Sequence, residues 1–155
     1  MIVVVTLAAQ QAMPQLKMHV RAALDSGVTP VELREAVYQC APFIGFPKTL
    51  EAVSVMNEVF AERGIRLPLE KQATVQEGER YAAGKVIQFP LYGDEIREAM
   101  KTVPGGMGDD MARFLTEVNF GDFYTRKGLD VKTRELLMRC VLATLGADGQ
   151  IQAHA

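Results

Sequence analysis

The sequence predicts an all-helical protein, and three observations lead to that prediction. Apolar residues recur at three- and four-residue spacing through most of the chain, which is the period of an amphipathic helix. No segment alternates apolar and polar residues over the length of a strand. An internal repeat places the β-branched start of the chain inside a helix.

Capping signals mark the first two predicted helices. Pro14 suits the first turn of a helix, and Gly27 suits its end. Thr29, Pro30 and Glu32 form a capping box with proline at the first helical position, so a second helix is predicted to begin there. Its apolar stripe comprises Leu33, Ala36, Val37, Cys40 and Ile44.

A break at residues 45–47 (GFP) is predicted to precede a third helix, which Gly64 ends. Residues 66–70 (RLPLE) are interpreted as a connector. A polar, partly exposed helix is predicted for residues 71–88 and a short helix for residues 94–101. The inward face of the third helix is predicted to comprise Leu50, Val53, Met56 and Phe60.

Loops and turns divide the second half of the chain. The PGG sequence at residues 104–106 is the strongest loop signal, and Asp109 is predicted to cap the next helix. Residues 119–130 are interpreted as turn-rich. Asp130 is predicted to cap the last long helix, which Gly146 ends. The inward residues of these two helices are predicted to be Met111, Leu115 and Val118, then Leu136, Leu137, Cys140, Val141 and Leu145.

Composition and charge narrow the functional class. Hydrophobic residues make up 48% of the 155 residues and charged residues 23%, an ordinary globular balance. A formal net charge of -2 gives no electrostatic basis for binding nucleic acid or an anionic membrane. The apolar run at residues 1–9 is too short to cross a bilayer and lacks the basic start of a secretory signal, so a cytoplasmic location is expected.

The two cysteines, Cys40 and Cys140, each lie inside an apolar helical pattern. Buried free thiols are the expected state in a reducing compartment. Since no histidine or second cysteine lies at ligand spacing, neither a disulfide nor a metal site is predicted.

An internal repeat is the strongest clue to domain organisation. Residues 6–20 match residues 141–155 at an offset of 154 − 19 = 135. Each copy comprises the apolar end of a helix, a short break, and a second helix with Gln and His four residues apart. Residues 1–9 are therefore predicted to be helical. The matched pairs include Leu7 with Leu142, Gln15 with Gln150, Leu16 with Ile151, and His19 with His154.

The two copies cover different parts of one repeating module. The first begins inside a helix, and the second stops just after its histidine. We interpret residues 1–65 as the back part of a first module and residues 66–155 as the lead-in and front part of a second. The missing parts are expected from a longer protein or from a partner chain, and the apolar surface of an interrupted helix favours a partner.

Two motifs carry a resemblance to a known family. The pattern H-x-R-A-A-L-x-x-G-V-T-x-x-E-L-R-E-A-V at residues 19–37, followed by GFP, resembles the core of carboxymuconolactone decarboxylase domains. The sequence GLDVKTRELL at residues 128–137, followed by LATLG, resembles the start of another such domain. The resemblance covers residues 1–64 and about 110–155. It implies an alkylhydroperoxidase D-like bundle of about six to eight helices, and homo-oligomers, either trimers or hexamers.

The resemblance also separates two kinds of chemistry. The thiol branch of this superfamily uses Glu, a C-x-x-C pair and His as a proton relay. Glu135 and His154 fit the relay positions, but the two cysteine positions fall on Ala147 and Gln150. Neither residue forms a thiolate, so peroxidase chemistry is disfavoured. The decarboxylase branch, which needs no cofactor, fits better.

The predicted catalytic pair is His154 as general acid and Glu135 as its orienting partner. Gln150 lies one helical turn before His154 and is a candidate to hydrogen-bond a substrate oxygen. In the first copy, His19 and Gln15 are the equivalent candidates, although the position of the glutamate would precede Met1.

Anionic substrates require a cation, and two arginines are candidates. Arg21 follows His19 by two positions, and Arg134 directly precedes Glu135. Either side chain could bind a carboxylate bidentately. Salt bridges at the surface or between chains are the competing interpretation for both.

Alternatives remain open at this point. The two histidines could be structural, Glu135 could be an acid that stabilises a helix N-terminus, and the aromatic residues of 119–130 could pack in a core. The leading hypothesis is a cofactor-free lyase acting on a small, anionic, lactone-like acid. Another proton-transfer or hydrolytic enzyme, and a non-catalytic oligomeric protein that binds small acids, are the alternatives.

Overall fold

The computed structural model describes residues 1–153, and helices make up its regular structure throughout that range. The all-α prediction is confirmed. Within the described range, every helix is too short or too polar to span a bilayer. The helices are α1 (Ile2–Gln10), α2 (Met13–Asp25), α3 (Pro30–Gln39), α4 (Ala41–Ile44), α5 (Phe46–Glu62), α6 (Arg80–Tyr92), α7 (Glu95–Lys101), α8 (Met107–Phe114), α9 (Val131–Leu145) and α10 (Asp148–Ala153), with a π-helix at Leu115–Tyr124 and 3-10 turns at Glu77–Glu79 and Pro104–Gly106.

The chain folds into two compact units. The first combines Met1–Lys71 with the chain from Gly128 onward, and the second is Gln72–Lys127. In the first unit, α9 packs against α1 and α3. Segments that the sequence assigned to two different modules therefore share one core.

Helix α1 lies at the centre of the first unit. Val4 and Ala8 belong to a core cluster with residues of α2, α3 and α5, whereas Val5 and Ala9 belong to a second cluster with residues of α3 and α9. A helix that is buried on two sides carries apolar residues around most of its circumference. This burial explains the β-branched run that the repeat correctly assigned to a helix.

The repeat extends to backbone geometry. Gln11 after α1 (φ 57°, ψ 30°) and Gly146 after α9 (φ 67°, ψ 28°) both adopt the left-handed conformation. The next amide donates five residues back in each copy, from Ala12 N to Leu7 O at 3.1 Å and from Ala147 N to Leu142 O at 3.0 Å. This closure is a Schellman motif, which ends helices efficiently.

The capping box predicted at Thr29 is present. Its hydroxyl accepts from the backbone N–H of Glu32 at 3.2 Å, and its own N–H donates to Oε2 of Glu32 at 2.8 Å. We expect Thr29→Ala to lower the free energy of unfolding by about 1 kcal/mol, because orphan amides of α3 lose their acceptor. Urea unfolding measures the change. Thr29→Ser, which keeps the hydroxyl, is the control, and equal stability of the two variants would contradict the prediction.

Three predictions for the second unit were wrong. Residues 72–76 are not helical. Thr74 Oγ1 donates to Thr125 O at 2.8 Å and Lys127 N donates to Gln72 O at 3.0 Å, so this segment is hydrogen-bonded to the chain that follows the π-helix. The turn-rich stretch begins only after the π-helix, where Phe120 and Tyr124 are buried with ring centroids 4.9 Å apart. Helix α8 starts at Met107, so Asp109 lies in its first turn instead of capping it.

Four leucine and methionine positions predicted to face inward are exposed. They are Leu50 (63%), Met111 (50%), Leu136 (51%) and Leu145 (41%). In α9 the buried stripe runs through Arg134, Leu137, Met138 and Val141, at helical spacing. Leu136 falls outside that stripe, because it lies two residues after Arg134 and therefore on roughly the opposite side of the helix.

Candidate functional site

The centre of the first unit holds a buried ion pair. Glu35 of α3 and Arg134 of α9 are both fully buried, and Oε2 of Glu35 lies 3.6 Å from Nη2 of Arg134. Nη1 of Arg134 donates to Oε1 of Gln39 at 2.8 Å, and its Nε donates to the carbonyl of Leu129 at 3.3 Å. A buried charge needs this kind of pairing and hydrogen bonding to be tolerated.

Arg134 was a candidate to bind a substrate carboxylate. In the structure, the carboxylate beside its guanidinium is that of Glu35, and both groups are enclosed. The arginine therefore joins α9 to α3 and fixes the start of the helix that carries Glu135. Sequence reasoning missed Glu35 and Gln39, which lie one turn apart on α3 outside the predicted apolar stripe. They are buried where α3 packs against α9, and no local signal marks that contact.

A second arginine shares the same glutamate. Arg34 lies next to Glu35 in sequence, and its Nε and Nη2 lie 3.1 Å and 3.0 Å from Oε1 of Glu35. Nη2 also donates to the carbonyl of Glu70 at 2.7 Å. One buried carboxylate thus faces two guanidinium groups.

Glu135 lies in the first half of α9, directly after the buried arginine. Its side chain is half-buried, and its Oε1 atom is enclosed. Gln150 is exposed on α10. His154 lies outside the described residues, so the predicted catalytic pair stays a prediction.

The first copy of the repeat shows where its histidine lies. His19 is on the exposed side of α2 and lines a cavity of about 200 Å³ between α1 and α2. Met1, Val3 and Val4 of the chain start line the same cavity. Gln15, one turn earlier on α2, is exposed. The histidine therefore faces the residues at the beginning of α1.

Arg21, the other candidate cation, is held by an internal carboxylate. Its Nε and Nη2 lie 3.0 Å and 2.7 Å from Oε2 of Glu62, and Lys17 lies 3.0 Å from Oε1 of the same residue. The hydrogen bonds from Arg21 and Lys17 lower the pKa of Glu62. This pair links the surfaces of α2 and α5, which is the salt-bridge interpretation left open above.

The cysteines occupy different environments. Cys40 is fully buried, and burial raises the pKa of its thiol to about 12, so it stays protonated at neutral pH. Cys140 is half-buried. Within residues 1–153, no three His, Cys, Asp or Glu side chains are grouped so that they could hold a metal ion.

Comparison with known proteins agrees with the resemblance. The profile of the carboxymuconolactone decarboxylase family matches residues 1–58 and 109–155. The chain is 39% identical over 51 residues to the 4-carboxymuconolactone decarboxylase of Acinetobacter baylyi, covering 33% of this chain and 38% of that protein. It is 41% identical over 49 residues to the nitrosuccinic acid decarboxylase npaB of Metarhizium robertsii, covering 32% and 34%.

A third relative is an uncharacterized 15.0 kDa protein of Paracoccus denitrificans, 38% identical over 58 residues, with 37% of this chain and 43% of that protein covered. The matches span between 34% and 43% of the length of these relatives. The family profile covers more than half of the chain, in the two segments that build the first unit and the end of the second. The chain therefore belongs to the carboxymuconolactone decarboxylase family.

Proposed function

We propose that this chain acts as a cofactor-free decarboxylase on a small anionic acid, with His154 as general acid and Glu135 as its orienting partner. Two relatives are named as decarboxylases of small acids, and their substrates differ. The proposal is therefore specific about the reaction and broad about the substrate, for which a carboxymuconolactone-like acid is the first candidate.

The cavity beside His19 is the observation that carries the proposal. Met1 and His19 line it together, and the repeat offset of 135 relates them to Leu136 and His154. Glu135 directly precedes Leu136. Because the turns after α1 and α9 have the same closure, an equivalent placement would bring His154 beside the part of α9 that carries Glu135.

The chemistry requires an acid and a stabilised carbanion. Loss of CO₂ leaves an electron pair that must be delocalised into a neighbouring acceptor group, such as an unsaturated lactone. A protonated histidine stabilises that negative charge and then delivers the proton to carbon. A carboxylate next to the histidine favours the imidazolium and fixes the orientation of the ring.

An assay of 4-carboxymuconolactone decarboxylation, in which the released CO₂ is measured, tests the proposal. We expect His154→Gln to lower kcat on the order of a hundredfold, because the proton donor is lost. In Glu135→Gln, kcat should begin to fall at lower pH than in the wild type, because the neighbouring negative charge no longer favours the imidazolium. Glu51→Gln, an exposed glutamate on α5, is the matched control and should behave as wild type.

Three outcomes would contradict the proposal. Full activity of His154→Gln would remove the mechanism. Loss of activity in His19→Gln alone would place the site in the first copy of the repeat. Saturable binding of small acids without turnover would favour the non-catalytic binding protein.

A further inference from the structure

The first unit contains a cavity that the proposed function does not use. It has a volume of about 400 Å³ and lies between α3, α5 and residues 67–69. Neither His19 nor Glu135 lines it. This volume is within the range of small-molecule sites, which are about 300–1,000 Å³.

Its walls are mostly apolar. Phe60 and Met56, which are fully buried, and the half-buried Val53 form the α5 side. Leu67 and Leu69 of the connector form the opposite side. A ligand with a flat or compact hydrocarbon body would bury apolar surface against these side chains.

The polar lining includes a cation that retains donor capacity. The side chain of Arg34 is only 11% exposed, and its Nε and Nη2 are bonded to Glu35 and to the carbonyl of Glu70. Within the described residues, Nη1 of Arg34 has no acceptor. Nη1 is not among the enclosed polar atoms of the described residues that lack a partner, so it is accessible, and an anionic ligand oxygen would accept a charge-assisted hydrogen bond from it.

Other neighbours strengthen the preference for an anion. The carboxylate of Glu35 is shared between Arg34 and Arg134, at 3.0 Å and 3.6 Å, so it does not serve Arg34 alone. Asn57 also lines the cavity, and its amide has no partner among the described residues. An amide N–H₂ and a guanidinium are both donors that suit a carboxylate.

We propose that this cavity binds a small monocarboxylic acid with an apolar body. The carboxylate accepts from Nη1 of Arg34 and from the amide of Asn57, and the body packs against Val53, Met56 and Phe60. The bond from Arg34 to the carbonyl of Glu70 also holds the connector in place as one wall of the site. The inference goes beyond the proposed function, because binding here requires no turnover.

Calorimetric titration of the full chain with benzoate tests the proposal. We expect saturable 1:1 binding with a Kd below about 10 mM. Benzamide, which is isosteric and neutral, should bind at least about tenfold more weakly, because the charge-assisted hydrogen bond is lost. Arg34→Met should weaken benzoate binding to a similar degree. Val53→Phe fills the cavity while keeping the cation, and should also weaken binding.

Arg66→Met is the matched control. Arg66 is an exposed cation in the same connector that does not line the cavity, and its loss should leave benzoate binding unchanged. Circular dichroism of each variant checks the fold. If Arg34→Met is unfolded, the comparison of benzamide with benzoate on the wild type and the Val53→Phe variant still test the proposal. The proposal is overturned if benzoate shows no saturable binding, if benzamide binds equally well, or if folded Arg34→Met and Val53→Phe bind benzoate as the wild type does.

Discussion

Replacing Arg134 with methionine is expected to lower the free energy of unfolding of the first unit by about 3–5 kcal/mol. The substitution keeps a long side chain in the core but removes the guanidinium that pairs with the buried Glu35 and donates to Gln39. The glutamate then remains buried with less compensation, and the Gln39 carbonyl loses its donor. Denaturant unfolding monitored by circular dichroism measures the change.

Two further variants isolate the effect of the charge. Arg139→Met makes the same chemical change on the exposed side of α9, and it should alter stability by less than about 0.5 kcal/mol. Adding Glu35→Leu to Arg134→Met replaces the pair with two apolar residues and should recover part of the loss. The recovery is incomplete because Arg34 also loses the Glu35 carboxylate and keeps only its bond to the carbonyl of Glu70. If Arg134→Met were as stable as Arg139→Met, the ion pair would contribute little to this core.

Gly84→Ala is expected to destabilise the second unit by about 3 kcal/mol or more, at or beyond the upper end of ordinary overpacking. Helix α6 packs closely against the π-helix, and a Cβ at position 84 would overlap the carbonyl oxygen of Thr116 and lie 2.8 Å from the backbone nitrogen of Gly121. These are backbone atoms, so relief requires the two helices to move apart.

The sign of this change is informative. Alanine is favoured over glycine by about 1 kcal/mol inside an exposed helix, so a loss of stability would report the close approach and not helix propensity. Gly78→Ala is the control, since a Cβ there would meet nothing within 4 Å. Hydrogen exchange of the α6 amides in both variants tests the prediction, and equal protection in Gly84→Ala and wild type would contradict the packing.

The helices of the first unit were largely predictable, because their signals are local. The capping box at Thr29, the Asp130 cap and the Gly146 end each depend on residues within one or two turns. The internal repeat identified α1 as a helix from sequence matching alone. Leu50 was predicted to face inward, but it is exposed. Helical spacing predicts which side of a helix is apolar, but it does not show how much of that side the neighbouring helices cover.

The site was predictable only in part. Glu135 was chosen by its spacing from His154. No contact among the described residues tests that choice, because His154 lies outside them. Arg134 was recognised as a cation of interest, but its partners were not. Gln39 lies 95 residues away in sequence, and no local pattern specifies such a pairing.

By itself, the sequence determined the helical class, most helix ends and the family, since all three depend on short-range spacing and on motif order. Only the tertiary structure decided that Glu35 and Arg134 share the core of the first unit, that the stretch before Thr125 is a π-helix, and that Arg34 lines an apolar cavity. The physical reason is that burial and pairing of charges depend on contacts between distant segments. Those contacts form only when α1, α3, α5 and α9 pack together.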